Sequence, residues 1–210
     1  PFAESGCEIV GVDIASLRIE QARTFFARRN QRGTFIASDI FRLKDQEKHF
    51  PLILVHDVIE HINDKSQFLS GMKGYLSSGG VLFIAFPAWQ MPFGGHQQIA
   101  RGRVVSHLPF IHLLPRVLYK WILETGGEEE DTIKELLSIK ETKCTIEMFR
   151  NLVKQTGYQI VDQQLFFINP HYEVKFGLSP RKLGRVLSSV PYLRNFFSTS
   201  CFYLLKKGDE

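Results

Sequence analysis

FPLILVHDVIEHIND, residues 50–64, is the stretch on which the reading of this chain turns. Leu52 to Val55 is an unbroken apolar run between Pro51 and the polar pair His56-Asp57. Such a run without polar alternation reads as a strand covered on both faces, the burial that parallel strands require. A strand over Pro51–Asp57 is expected, and its end delivers imidazole and carboxylate groups in quick succession. Asp57, Glu60 and His61 form a D-x-x-E-H constellation. On the first turns of a helix, positions i, i+3 and i+4 share one face.

The flanking sequence repeats the pattern. EIVGVD (8–13) reads as a buried strand ending in an acid, and Ser16 as the cap of a helix to about Asn30 with Ile19, Ala22, Phe25 and Phe26 on one face. GTFIASD (33–39) is a second strand, again ending in Asp. Downstream, a helix is expected from about Lys65 to Ser77, capped by Asn63 or Asp64 and ended by Gly79-Gly80, with Phe68, Leu69, Met72 and Leu76 facing inward. VLFIAF (81–86) is a further strand, stopped by Pro87. Strands alternating with helices read as parallel βαβ units in a doubly wound α/β sheet. Right-handed crossovers then place Asp13, Asp39 and the His56–His61 segment at the carboxyl edge, where ligands bind in such sheets.

From Ala88 to about Lys143 the pattern changes to irregular or helical sequence rich in large apolar residues. Regular alternation resumes at Thr145, which caps a helix ending near Gly157. Gln159–Ile168 and Thr199–Lys207 read as strands, with a loop or short-helix region holding His171 and Tyr172 between them. The expectation is a single domain over residues 1–210 with a helical insertion, or cap, at 88–143.

Composition excludes several classes. The 210 residues are 44% hydrophobic and 23% charged, which a packed globular chain accounts for and wholesale disorder does not. Net charge is +4, too mild and scattered for a nucleic-acid stripe, so no nucleic acid is expected as a partner. Lys175, Arg181, Lys182, Arg185, Arg194, Lys206 and Lys207 form the nearest approach to one; a solvated face is the plain reading, contact with an anionic substrate or membrane surface the other. Cys7, Cys144 and Cys201 are odd in number and widely spaced, which argues against a disulfide framework and for a reducing cytoplasm. No uncharged apolar run is long enough to span a bilayer.

Each candidate residue has a bland reading beside the chemical one. Asp13 is placed to accept both hydroxyls of a ribose, or simply to cap a helix. Asp39 is placed to accept from an adenine amino group with Ile40 packing on the ring, or to make a turn. His96 lies in FGGHQQ (93–98); the glycine pair allows close backbone approach, and a histidine there is the natural general base near neutral pH or else a loop histidine bonded to backbone. Trp89, Phe93, Phe110 and Trp121 read either as a pocket for an apolar acceptor or as the core of a helical cap. Arg101, Arg103, Arg116 and Lys120 beside apolar residues leave a peripheral membrane foot as a third reading.

Four stretches, EIVGVDIA (8–15), FIASDI (35–40), FPLILVHDVIEHIND (50–64) and LSSGGVLFIAFP (76–87), resemble the class I S-adenosylmethionine-dependent methyltransferases. TIEMFRNLVKQTGYQIVD (145–162) and TSCFYLLKK (199–207) match that family's last helix and final antiparallel hairpin. The resemblance implies a Rossmann-like sheet with an antiparallel last strand, and S-adenosylmethionine as cofactor. It implies that Asp13 and Ile14 meet the ribose and adenine, that Ser38, Asp39 and Ile40 form the adenine pocket, and that His56 and Val58 line the methionine end. By the same resemblance His96, in a Gly-His pair, stands near the acceptor; His96 and His61 are the residues expected to be catalytic. The D-x-x-E-H run could hold Mg²⁺ or Zn²⁺, but no metal is expected; Glu60 and His61 instead orient the loop over the cofactor. Nothing before Glu8 carries the family's glycine-rich loop, and Pro1 to Gly6 reads as the end of the helix that would follow it. Either the natural protein has an amino-terminal piece before Pro1, which is the expectation, or it has lost the loop, an alternative that counts against cofactor binding.

The function expected is methyl transfer to a small or lipid-like acceptor, on oxygen because the insertion is apolar. A non-catalytic scaffold of the same fold is the alternative from another class. A nicotinamide-dependent oxidoreductase is a third, since a strand-end acid suits that ribose too.

Overall fold

The computed structural model describes residues 1–43 and 49–208, which divide into two compact units, Pro1–Lys48 and His49–Glu210. The first unit is a βαβ unit: β1 (Val10–Asp13), α1 (Ser16–Arg28) and β2 (Thr34–Ala37). The strands are parallel, with Asp13 in register with Ala37, so Asp13 and Asp39 leave the two-stranded sheet at the same end. Ser16 is not the cap expected of it but the first helical residue. Asp13 caps instead: its Oδ1 accepts from the Ala15 N–H at 2.8 Å. A residue that ends a strand and opens a helix two positions later satisfies one of the helix's orphan amides. On α1 Ile19 is buried as expected, whereas Phe25 lies exposed under the Arg29 guanidinium, 3.8 Å from the ring centroid.

The second unit is built on a five-stranded sheet. β3 (Phe50–His56) and α2 (Lys65–Tyr75) come first, and the Asp64 carboxylate caps the helix by accepting from Gln67 N–H at 2.8 Å. Phe68, Leu69, Met72 and Leu76 are all buried, as their spacing requires. β4 (Leu76–Phe86) follows with no loop. Gly79-Gly80 therefore does not end the helix. Phe50 pairs with Leu76 and Leu52 with Val81, so residues 77–80 bulge from the strand. Gly79 sits there at φ +72°, and a Cβ on Gly80 would lie 2.9 Å from the Phe50 carbonyl oxygen. Glycine is what such a bulge needs.

The segment 88–143 carries 3-10 turns, then α3 (Arg116–Thr125) and α4 (Glu130–Thr142). It closes on its own apolar cluster, which includes Val105, Ile111, Tyr119, Leu123, Leu136 and Leu137. After it come α5 (Ile146–Gln155), capped by Thr145 as expected, β5 (Tyr158–Ile168), α6 (His171–Phe176), the two-residue β6 (Arg181–Lys182), α7 (Arg185–Ser189) and β7 (Ser200–Lys207). β3 and β4 are parallel; β7 runs antiparallel to both β4 and β5, which confirms the expected final hairpin. This is a Rossmann-like α/β fold with a mixed sheet, and antiparallel pairs outnumber parallel ones in the second unit.

Candidate functional site

In the first unit the candidate residues lie together at the strand ends. Asp13 gives Oδ1 to the Ala15 amide and turns Oδ2 toward exposed Arg18, 3.7 Å away. Ser38 N–H donates to the Asp13 carbonyl at 3.0 Å, which fixes the two strand ends side by side. Asp39 Oδ1 accepts from Phe41 N–H at 3.0 Å and caps the 3-10 turn Ile40–Arg42. Both acids thus make the turns that were their bland reading, and the second oxygen of Asp39, like that of Asp13, lies near an exposed arginine, Arg42 Nε at 4.0 Å. Ile14 is exposed beside Asp13, and Ile40 is half-buried.

In the second unit the D-x-x-E-H run does not share one helical face. Asp57 stands outside the turn at φ +51°, its N–H donating to Ala85 O at 2.9 Å. It pairs with His56 instead, Nδ1 to Oδ2 at 3.1 Å. That hydrogen bond, against the opposing effect of partial burial, raises the His56 pKa above its ordinary value. Ile59–His61 form a 3-10 turn, with Ile59 driven into the core. Burying Ile59 carries its neighbour Glu60 inward: Glu60 is 3% exposed, and neither carboxylate oxygen has a hydrogen-bond partner. Burial pushes its pKa up to about 8.

The missing member of the cluster comes from 35 positions downstream. His96, at φ +57°, turns its Nε2 to 3.8 Å from Glu60 Oε1, and its ring centroid lies 5.1 Å from that of His61. Burial, then the neighbouring His61, holds the His96 pKa down to about 4, so the ring is neutral at pH 7. One ligand-type atom each from Glu60, His61 and His96 lie within 4.8 Å of one another. The structure therefore assembles a carboxyl and two imidazoles at the end of β3, with His96 in the place the sequence offered to Asp57.

Gly94 and Gly95 serve packing rather than approach by an acceptor. A Cβ on Gly95 would lie 2.2 Å from His112 Cβ, and one on Gly94 2.3 Å from the Trp89 carbonyl oxygen. His112 is itself wholly buried, its Nε2 2.7 Å from Trp89 O. Of the four aromatic residues expected to line one pocket or fill the cap core, Trp89 is buried against His112, Phe93 is half-buried, and Phe110 and Trp121 are exposed. Of these only Trp89 is buried, and the cluster that closes the 88–143 segment is aliphatic around Tyr119.

Three residues near the cluster escaped the sequence reading. Thr142 Oγ1 donates to Glu60 O at 2.6 Å, tying the end of α4 to the turn. Lys65 Nζ donates to Ile62 O at 2.5 Å and to Thr142 O, closing the same junction. Tyr172 has its pKa raised by burial and then by the negative charge of Asp57. Thr142 and Lys65 are common helix-end residues, so only the fold reveals their partners; Tyr172 lay in an irregular region already marked by neighbouring His171.

Residues 1–82 match the family model for a methyltransferase domain. Over its length the chain superposes on a S-adenosylmethionine-dependent methyltransferase from Clostridium acetobutylicum with a TM-score of 0.58 at 12% identity, covering 99% of this chain and 78% of that one. It likewise superposes on magnesium protoporphyrin IX methyltransferase from Synechocystis, solved with bound S-adenosylhomocysteine, with a TM-score of 0.54 at 12% identity over 99% and 67% of the two chains. The resemblance read from the sequence therefore stands: the chain has the fold of the class I S-adenosylmethionine-dependent methyltransferases, and its amino-terminal part matches their domain model. Among curated proteins it is similar to the ubiquinone biosynthesis O-methyltransferase of Bartonella quintana, 29% identical over 106 residues, 48% of this chain and 43% of that protein. The enzyme of the same name from Brucella ovis is 28% identical over 85 residues, 40% and 34% of the two chains. The matches span less than half the length of these relatives.

Proposed function

We propose that the protein binds S-adenosylmethionine and transfers its methyl group to an oxygen of a small or lipid-like acceptor. The observation that carries this reading is the Glu60–His61–His96 cluster at the end of β3, on a methyltransferase fold. Relatives named as O-methyltransferases support oxygen as the acceptor atom. In the first unit, Asp13 Oδ2 suits a ribose diol, exposed Ile14 suits an adenine face, and Ser38, Asp39 and Ile40 supply the polar and apolar contacts of a purine. In the second unit His56 and Val58 are the proposed cofactor contacts; His56 is partly exposed and Val58 exposed at the end of β3.

When bound, the cofactor supplies a methyl on positively charged sulfur, which is electrophilic without an enzyme nucleophile. The protein must then hold an acceptor oxygen in line, about 3–3.5 Å away, and receive its proton. Neutral His96 has a lone pair for that proton, and His61 stands beside it. Glu60, once ionised, stabilises the imidazolium that His96 becomes.

The test is thermal-shift and calorimetric comparison of S-adenosylhomocysteine with NAD, followed by an acceptor screen on parent and His96→Ala. Binding of NAD in preference would return the oxidoreductase reading. Turnover unchanged by His96→Ala at every pH would remove the base role.

A second reading is favoured by the two unpartnered oxygens of buried Glu60. Against the expectation of no metal, Glu60, His61 and His96 fit a divalent cation, because one carboxylate and two imidazoles form a known donor set for Zn²⁺. Bound there, a cation would polarise an acceptor oxygen. Calorimetric titration with Mg²⁺ and Zn²⁺ decides; heats equal to the buffer background, or unaltered in Glu60→Gln, reject it.

A further inference from the structure

The 171–197 excursion between β5 and β7, which returns to the sheet only at the two-residue β6, carries five cations, Lys175, Arg181, Lys182, Arg185 and Arg194, against one acid, Glu173. Arg194 is committed to Glu147, with its Nη2 3.0 Å from Oε1. The other four form no ion pair with any described acidic side chain. Interleaved with them are apolar side chains turned outward: Val174 and Val186 are each more than four-fifths exposed, Tyr192 is 70% exposed, and Phe176 is 55% exposed.

These side chains are not loose ends. Tyr192 is held at φ +64°, a conformation that is strained in a residue other than glycine and persists only where its surroundings impose it. Its N–H donates to Glu147 Oε1 at 3.0 Å, and Asn195 joins Glu147 Oε2 and the Ile146 amide. The turn is thereby anchored to α5 while the ring faces solvent. Phe110 repeats the arrangement on the 88–143 segment: it too has positive φ, +65°, and its exposed ring meets Phe196 at a centroid distance of 6.4 Å. Phe110 N–H also donates to Pro92 O at 2.7 Å, at the loop that presents His96. Phe110 thus links the excursion, through Phe196, to the segment that carries His96.

We propose that the 171–197 excursion, with Phe110, docks the protein peripherally on an anionic lipid surface. Unpaired cations interleaved with outward aromatic and aliphatic side chains are what a membrane interface takes: phosphate headgroups meet the cations, and the acyl boundary takes the rings. No helix among the described residues is long and apolar enough to cross a bilayer, so the contact is interfacial. The proposal rests on the acceptor-site reading above only for its consequence, that a lipid-like acceptor reaches the Glu60–His61–His96 cluster from the bilayer side.

The experiment is co-flotation of the full chain with phosphatidylcholine vesicles, with and without phosphatidylglycerol. Capture is expected with the anionic vesicles only and weakens with added salt. Neutralising one surface cation weakens such partitioning about fivefold, so Arg181→Gln with Lys182→Gln is expected to lower it about thirtyfold. Tyr192→Ser is expected to lower it at unchanged charge. S-adenosylhomocysteine binding, measured on the same variants, checks their folding and keeps the two proposals apart. Nucleoside binding without vesicle capture overturns the docking proposal alone, whereas vesicle capture without nucleoside binding overturns the methyl-transfer reading. Equal capture by neutral vesicles, capture indifferent to these substitutions, oligonucleotide binding in place of vesicle binding, or self-association that replaces it would each overturn the lipid assignment.

Discussion

Replacing Glu60 by Gln keeps the shape of the buried side chain and removes its ionisation, which isolates the energetic effect of the burial. In the folded chain this carboxyl titrates at about 8, against 4.5 ordinarily. Between those two pH values the unfolded chain has lost the proton and the folded chain keeps it. Stability therefore falls as pH rises through that window, by about 1.4 kcal/mol per pH unit, or about 5 kcal/mol in all. His96 works in the opposite direction. Its pKa is depressed to about 4, so its contribution is present above 6.5 and is lost as pH falls toward 4. Both proteins retain that histidine, and because Glu60 stays neutral below about pH 8 the difference between them in this window is dominated by Glu60. Urea unfolding of parent and Glu60→Gln, run with a chelator at pH 4.5, 6 and 8, is expected to show the variant gaining steadily on the parent. A fixed offset from the buried amide, about 1–3 kcal/mol, does not alter the slope. Parallel pH profiles, differing by less than about 1 kcal/mol across the range, would refute the claim that Glu60 is buried without a partner.

Other consequences are more local. Gly95→Ala drives a methyl into His112 at 2.2 Å and is expected to cost about 1–3 kcal/mol by overpacking, read as a lower urea midpoint at unchanged slope. Thr142→Val removes the hydroxyl that donates to Glu60 O; stability should fall by about 1 kcal/mol and kcat should fall more than KM, with Thr142→Ser restoring both. Asp13→Asn keeps the cap on Ala15 but removes the charge proposed to hold a ribose, so calorimetry with S-adenosylhomocysteine should show affinity reduced about tenfold or more with little change in unfolding midpoint.

The sequence by itself determined the elements whose causes are local. β1, β2, β3, α2, α5 and the β5–β7 hairpin were legible because apolar runs, period and capping residues such as Asp64 and Thr145 act within a few positions. Tertiary structure alone decided which polar groups meet. Asp57 looked like the partner of Glu60 because it lies three residues away, but a positive φ turns it to His56. His96 takes its place because packing of the glycine pair on His112 and the Trp89 carbonyl fixes the loop that carries it. Likewise Thr142 and Lys65 reach the same turn only because α4 ends there. Hydrophobic periodicity fixes which face of an element is buried, whereas the meeting of side chains far apart in the chain depends on how those faces are stacked, and no local pattern encodes that.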